Sequence, residues 1–413
     1  MAADGQGVVH DVVVVGGGLV GACLAIALDR AGARVALVDA APPGALPDVF
    51  DQRNLSFGEA AVNALQALGV MRHLRNPPAP IRRIHASRRG DFGRVVLDAA
   101  DHGRSAFGQV VVARDFGDAL QARLDEVPTI ERHRPARFVG TPGVEGSARV
   151  VRIEGPEGQR DLRARLLVGA DGTASGVRDA LGIDATRHDY AQVLLVARVR
   201  LSRAPDGTAW ERFGRDGPTA LLPRADGHHG VVHGVSADEA GAVAALDEPA
   251  WLARLQAAMG WRAGRFLQSG ARSSYPMVEV VAARTTAPRA LLVGNAAQTL
   301  HPVGAQGFNL GLRDALALAE LVEAGRAADV AFDCGAPGVL DTWEQRRRED
   351  RARTLAFSDG LARLTANPGV AAGFLRSLGL VALAASPTTQ GALVGGAMGY
   401  RGHTPALARR DVP

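Results

Sequence analysis

The clearest chemical potential in this chain lies in six residues near its start. Gly16-Gly17-Gly18-Leu19-Val20-Gly21 follows the run Asp11-Val12-Val13-Val14-Val15 and opens an Ala/Leu-rich stretch, residues 19–31, that Gly32 closes. Strand, glycine turn and helix in that order form a phosphate cradle. Gly16 permits the tight turn, Gly18 lets the backbone approach a diphosphate, and Gly21 lets helix pack on strand. The diphosphate would then meet the positive end of the helix. Asp39 ends the next strand, residues 34–39, at the spacing of about 20 residues where a carboxylate binds ribose hydroxyls. The pattern points to a dinucleotide without saying which one. The competing reading is a glycine-rich turn in an unrelated α/β fold.

Two later segments carry similar chemistry. Leu167-Val168-Gly169-Ala170-Asp171-Gly172-Thr173-Ala174-Ser175-Gly176-Val177-Arg178 follows a strand expected at residues 162–168. Leu292-Val293-Gly294-Asn295-Ala296-Ala297-Gln298-Thr299-Leu300-His301-Pro302 follows another at 290–294. It continues as Val303-Gly304-Ala305-Gln306-Gly307-Phe308-Asn309-Leu310-Gly311-Leu312-Arg313-Asp314, leading into a helix over about residues 308–323. The Asn295 amide can hydrogen-bond a hydroxyl. Gly304, Gln306, Gly307, Phe308 and Asn309 precede or open a helix, where backbone N–H groups face a developing negative charge. Pro302 offers no N–H and stiffens its loop. His301 invites a reading as general base, but a histidine between apolar turns and a proline is more often structural.

Residues 167–178 resemble the "DG" segment, and residues 292–302 the "GD" segment, of the FAD-dependent aromatic hydroxylases related to 4-hydroxybenzoate hydroxylase. The run from Asn295 to Asp314 is similar specifically to the ubiquinone-biosynthesis branch, the 2-polyprenyl-6-methoxyphenol hydroxylases. Phe50-Asp51-Gln52-Arg53 resembles that branch's Arg-containing segment after the second strand. The resemblance implies FAD as cofactor and NAD(P)H as a transient co-substrate, in keeping with the lack of a second glycine fingerprint. It implies that O₂ is activated on the flavin as a hydroperoxide, and that the substrate is a prenylated phenol. It places Asp171 near the FAD diphosphate and ribose, Asn295 at the ribityl chain in place of the usual Asp, and Pro302 beside the ring system. By position in the family pattern Arg53 and Arg114 are the cationic contacts, with Pro302 and Arg53 expected at the reacting centre. One departure concerns His233-Gly234, where relatives tend to have a Trp-containing strand. Gly234 either widens a pocket for a prenyl chain or marks an irregular strand.

These residues need a scaffold, and the chain is long enough for one. Its 413 residues exceed one small core. Strands of one nucleotide domain recur near the start, the middle and residue 290, while residues 81–98 and 192–235 hold short β-like stretches split by Gly, Pro and Asp. The expected class is α/β. A Rossmann-like FAD-binding domain (1–80, 99–185 and 286–340) is interrupted by an antiparallel-sheet substrate domain (81–98 and 186–285). A helical C-terminal region, 341–413, completes it.

Composition removes several functions. All 47 basic residues are arginine and are spread along the chain, Arg346-Arg347-Arg348 being followed at once by Glu349 and Asp350, so no nucleic acid is expected as partner. The absence of lysine excludes a flavin halogenase, which needs one to carry the halogen. Two isolated cysteines, Cys23 and Cys334, suggest neither zinc nor a disulfide. Residues 12–28 are apolar, but four glycines break the run and no basic flank precedes it, so it reads as neither a signal peptide nor a membrane span. The protein is expected in the cytoplasm, peripheral to the inner face of the cell membrane. The expected contacts are a membrane surface or other ubiquinone-pathway proteins. Residues 374–385 offer an interfacial helix, though core packing is the commoner use of so short a stretch. A prenyl reductase and a non-catalytic FAD-bound scaffold remain the alternatives to a monooxygenase.

Overall fold

The computed structural model describes residues 9–42, 45, 53–215, 217–366 and 370–409. Phe50, Asp51 and Gln52, and most of the Pro/Gly-rich loop beyond Ala41, lie outside the described residues.

The chain opens with β1 (Val9–Val15), α1 (Leu19–Arg30) and β2 (Val35–Val38). Val12, Val13 and Val14 are wholly buried, as suits a central parallel strand covered on both faces. Gly32, at φ 75°, takes the left-handed conformation that ends α1. Next come β3 (Asn54–Gly58), α2 (Glu59–Ala67), β4 (Ala79–Ile81), and the hairpin of β5 (Arg83–Arg88) and β6 (Arg94–Asp98). The chain then returns through β7 (Gly108–Val112), α3 (Ala113–Asp125) and β8 (Glu131–His133). A meander of β9 (Arg137–Glu145), β10 (Ala148–Gly155) and β11 (Gly158–Gly169) leads to α4 (Gly176–Ala180).

Four antiparallel strands follow, β12 (Ala185–Leu201), β13 (Thr208–Phe213), β14 (Pro218–Pro223) and β15 (His229–Ser236). After α5 (Ala237–Ala244) and α6 (Glu248–Met259), β16 (Phe266–Ala282) pairs along β12. The short strands β17 (Thr286–Ala287), β18 (Ala290–Leu292) and β19 (Gln298–Thr299) precede the helices α7 (Gln306–Ala328), α8 (Pro337–Ala366), α9 (Val370–Ala385) and α10 (Pro387–Met398).

The first sheet runs β17-β18-β11-β1-β2-β8, with β9 and β10 added through β11. Its central strands are parallel, and Val15 lies opposite both Val38 and Gly169, while Gly169 lies opposite Leu292. The second sheet runs β19-β16-β12-β15-β14-β13-β5-β6 and is antiparallel except where β13 meets β5. Helices α5 and α6 cover one face, burying Leu195, Val199, Leu221, Val231 and Val235 against Trp251, Leu255 and Met259. A small third sheet, β3-β7-β4, lies beside them.

The C-terminal helices attach through charge as well as apolar packing. Arg313 on α7 donates to Asp350 on α8 at 2.7 Å, and Arg347 on α8 donates to Asp314 on α7 at 2.7 Å. Arg347 also pairs with Asp350, and Gln298 Nε2 donates to Asp314 at 2.8 Å. All four charged side chains are at most 2% exposed. The Arg346-Arg347-Arg348 run is therefore no uniformly solvated surface, because its middle member enters the core. Burial pushes the Asp350 carboxyl up, but Arg313 and Arg347 overcome this and hold it below the ordinary carboxylate range. Its contribution to stability is present above the ordinary Asp value and is lost as pH falls through the depressed one. Asp350→Asn takes the carboxylate from the buried Arg313 guanidinium and leaves Arg347 with Asp314 alone. It should lower unfolding free energy by about 3–5 kcal/mol, read by urea unfolding at neutral pH.

Candidate active site

Register brings the three motifs together. Because Val15, Val38, Gly169 and Leu292 end their strands side by side, the loops holding Gly16, Asp39, Asp171 and Asn295 leave from one edge. That edge, outside the carboxyl ends of parallel strands, is where open α/β sheets bind ligands.

The glycine turn is shaped by close backbone approach. Gly16, at φ 108°, leaves no room for a Cβ, which would overlap the Ala170 carbonyl. A Cβ on Gly21 would overlap the Gly16 carbonyl oxygen, so any larger residue drives α1 away from β1. Gly18 differs, since its Cβ direction opens onto space with no atom within 4 Å. As the N-cap of α1, Gly18 offers no side-chain cap, and no acid occupies the first turn. Unsatisfied N–H groups at such a terminus suit an anion. Asp39 accepts from the Ala41 N–H at 3.0 Å and faces Arg134 at 3.5 Å. A Cβ on Gly17 would stand 2.5 Å from its Oδ2, so the carboxylate lies directly against the glycine turn.

The other expected residues divide. Asn295 is exposed on a short 3-10 turn, and Gly311 of α7 packs so closely on Gly294 that an added Cβ would sit 2.8 Å from its Cα. Asp171 accepts from Ser175 Oγ at 2.5 Å and from the Val177 N–H at 3.0 Å, so its carboxylate organises the start of α4. Pro302 is exposed and its carbonyl accepts from the Ala305 N–H at 2.8 Å. Gly304 and Ala305 take positive φ, 73° and 50°, in a turn entering α7, which has neither a side-chain cap nor a first-turn acid. A non-glycine residue rarely holds that conformation and needs its surroundings to fix it. Asn309 supplies the fixing, donating to the Ala305 carbonyl at 2.7 Å and to that of Ser56 at 3.0 Å while accepting from the Gly58 N–H. Phe308 packs its ring 5.1 Å from Phe57 and 5.8 Å from Phe116. The side chains of Phe308 and Asn309 thus hold this turn in shape. Gln306 donates to the carbonyls of Gly304 and Ala397, and its buried Oε1 has no hydrogen-bond partner among the described residues. Beyond Gly307 there is open space.

Arg53 lies over the Tyr275 ring, 4.1 Å from its centroid, and its carbonyl accepts from the Ala113 N–H. Exposed Arg114 is therefore its neighbour, in the first turn of α3. Sequence reading missed Tyr275, because β16 lies far from Arg53 along the chain. His301 is 2% exposed and its ring meets Tyr190 edge-on at 4.8 Å. Burial pushes its pKa down to about 4, so it stays neutral near pH 7.

His233 bonds Thr219 at 2.9 Å and accepts from Arg254 at 3.2 Å, packed beneath α6. Gly234 widens nothing, because its Cβ would stand 2.9 Å from the Gly217 Cα. This glycine permits backbone contact, and the expectation of a wider pocket is corrected.

An FAD fits these residues. The cradle at Gly16–Gly21 would take the diphosphate, Asp39 would reach a ribose hydroxyl, and the uncapped turn into α7 would offer N–H groups to the ring edge.

Comparison with known proteins agrees. The family model described as an FAD binding domain matches residues 9–358. Ubiquinone hydroxylase UbiL of Rhodospirillum rubrum is 34% identical over 377 residues, spanning 91% of this chain and 86% of that protein. The 3-demethoxyubiquinol 3-hydroxylase of Escherichia coli is 28% identical over 378 residues, spanning 90% and 94%. Among solved structures, p-nitrophenol 4-monooxygenase PnpA from Pseudomonas putida superposes with a TM-score of 0.77 at 19% identity, covering 95% of this chain and 99% of that one, which is a likeness of fold. With its glycine cradle, strand-end acid and α7 turn gathered on one sheet edge, the chain belongs to the FAD-binding ubiquinone-biosynthesis hydroxylase family.

Proposed function

We propose that this protein is an FAD-dependent monooxygenase that hydroxylates the aromatic ring of a prenylated methoxyphenol in ubiquinone biosynthesis, using NAD(P)H and O₂. The observation that carries the reading is the meeting of the three motif loops on one sheet edge, in a chain of this family. Gly16, Gly18, Gly21 and Asp39 hold the diphosphate and ribose end of FAD. Asp171 shapes the adjoining loop, Asn295 faces the ribityl chain, and the backbone of Gly304, Gln306 and Gly307 faces the ring. Arg53 and Arg114 add positive charge, and Pro302 stands beside the reacting centre. When bound, FAD supplies the reduction by NAD(P)H and the activation of O₂. The protein binds the phenol, orients its ring and keeps water out.

The substrate's tail argues for contact with a lipid surface. Phe374, Leu378 and Val381 are exposed on one face of α9 at helical spacing, and Phe92 of the β5–β6 turn stands 6.1 Å from Phe374. The opposite face of α9 packs Leu380 and Leu383 against the core, which leaves the Phe374 face for the lipid contact we propose. Among the described residues no single helix is long and apolar enough to cross a membrane, although the bent pair Ser377–Ala385 and Pro387–Met398 together reach that length and apolarity. A cytoplasmic protein peripheral to the inner face of the cell membrane is the corresponding location.

Three measurements test these statements. Purified protein given FAD, NAD(P)H, ¹⁸O₂ and a prenylated phenol should yield a product carrying one ¹⁸O, with NAD(P)H oxidation dependent on the phenol. A reduced double bond without label would make it a prenyl reductase, a reading its relatives do not favour, and no turnover would leave a scaffold. Gly21→Ala should purify with little bound flavin by absorbance, whereas a full complement would contradict the assignment of the cradle. The Phe92→Ser, Phe374→Ser double variant should lose at least tenfold in co-flotation with phosphatidylglycerol vesicles, and unchanged flotation would remove α9 from the interface.

A further inference from the structure

The face of the second sheet away from α5 and α6 carries a carboxyl, Glu211, among apolar side chains. Strand register places Val95, Ala86, Glu211, Ala220, Val232 and Val196 in a single row across six strands, from β6 to β12. The opposite face is sealed under α5 and α6, whereas Ala86, Glu211, Val232 and Val196 are only half-buried. The row therefore lies on the face that α5 and α6 leave uncovered. Its borders belong to the site already described, since Tyr275, beneath Arg53, shares this face, and a Cβ on Gly230 would overlap the Asn54 side chain of β3.

Among the described residues Glu211 has no hydrogen-bond or ion-pair partner. A carboxylate in apolar surroundings is costly unless something pairs with it. The charged groups near it do not. Arg88 shares the face from β5, next to Phe213, but is held by Asp91. Arg212 and Arg94 point to the opposite face. The neighbours offered by β6, β14 and β15 are Val95, Leu97, Ala220, Leu222 and Val232. α9 and α10 turn the apolar Leu380, Leu383, Leu393, Val394 and Met398 towards this face, and Ser377 is held at the β5–β6 turn, where its Oγ accepts from the Phe92 N–H. The residues directly beside Glu211, Ala86 and Ala220, are small.

We propose that Glu211 receives the phenolic hydroxyl of the aromatic substrate, accepting its hydrogen bond on binding and its proton during ring hydroxylation. This rests on the reading of the protein as a phenol hydroxylase. The phenolic O–H bond breaks and a carboxyl O–H bond forms. The electron pair stays on the ring oxygen, where it enriches the ring carbons that are attacked. The proton passes to water after product leaves, and no reagent beyond those of the hydroxylation is required. Burial pushes the Glu211 pKa up to about 7, which suits a base working near neutral pH.

The test uses FAD-loaded wild type, Glu211→Gln and Glu211→Leu. In the wild type, kcat/KM should fall about tenfold per pH unit below about pH 7. Glu211→Gln should abolish that limb and lower kcat/KM by about a hundredfold or more. Calorimetric binding of 2-allylphenol and its methyl ether at pH 8 gives a readout independent of turnover. Wild type should favour the phenol about tenfold, and Glu211→Leu should bring the two together. Folding is not the confounder here. A raised carboxyl pKa costs stability as pH rises from the ordinary Glu value to about 7, so Glu211→Gln should melt higher than wild type at pH 8. An acid limb that persists in Glu211→Gln, or an unchanged phenol preference in Glu211→Leu, overturns the assignment. Failure of the wild type to hydroxylate any prenylated phenol would instead count against the functional reading, while the binding ratio still reports on Glu211.

Discussion

In the parallel sheet Val15 faces Val38 on one side and Gly169 on the other, and Gly169 faces Leu292. A site made from loops far apart in sequence depends on that alignment. Moving one strand by one residue would turn its side chains to the other face and withdraw its loop from the common edge. The backbone contacts at Gly16 and Gly21 hold the alignment, because α1 can lie close to β1 and the β11 loop only where no Cβ intervenes. The same closeness recurs where Gly311 meets Gly294, which draws the start of α7 to the same edge.

The second dependence is on buried charge. Arg313, Asp314, Arg347 and Asp350 join α7 to α8 out of water, with Gln298 and the Trp343 indole completing their hydrogen bonds. Apolar residues could supply comparable adhesion, but a paired network accepts one arrangement of partners, a specificity reported for some buried ion pairs. Here it fixes the helices that continue into α9 and α10, which pack on the second sheet at its β5–β6 end. Redox and oxygen chemistry belong to the cofactor, so the fold's share of the work is alignment, enclosure and the placing of a few polar groups.

Much of this was legible from residue types. The glycines at 16, 18 and 21 with Asp39 announced strand, turn, helix and strand, and those elements stand at Val9–Val15, Leu19–Arg30 and Val35–Val38. Burial made the difference elsewhere. Arg313-Asp314 belonged to a recognisable run, yet nothing local showed that these charges would be buried against the tail. Phe308 and Asn309 sit at the expected turn, but their side chains serve the aromatic cluster and the Ala305 conformation. Gly234 looked like spare volume and proved to be a point of backbone contact.

By itself the sequence determined the class of fold, the dinucleotide cradle and the family, because these depend on short-range patterns: glycines at a strand–helix junction, β-branched runs, and ordered motifs. Tertiary structure decided which residues share a surface. Arg53 over Tyr275, His301 against Tyr190, and Glu211 in a row of alanine and valine are meetings of strands and loops separated by long stretches of chain. Alternation along β13 could have put Ala209, Glu211 and Phe213 on one face. Only the pairing of β5, β13 and β14 showed that Glu211 has Ala86 and Ala220 beside it, because cross-strand neighbours are set by register and register by the packing of the whole sheet.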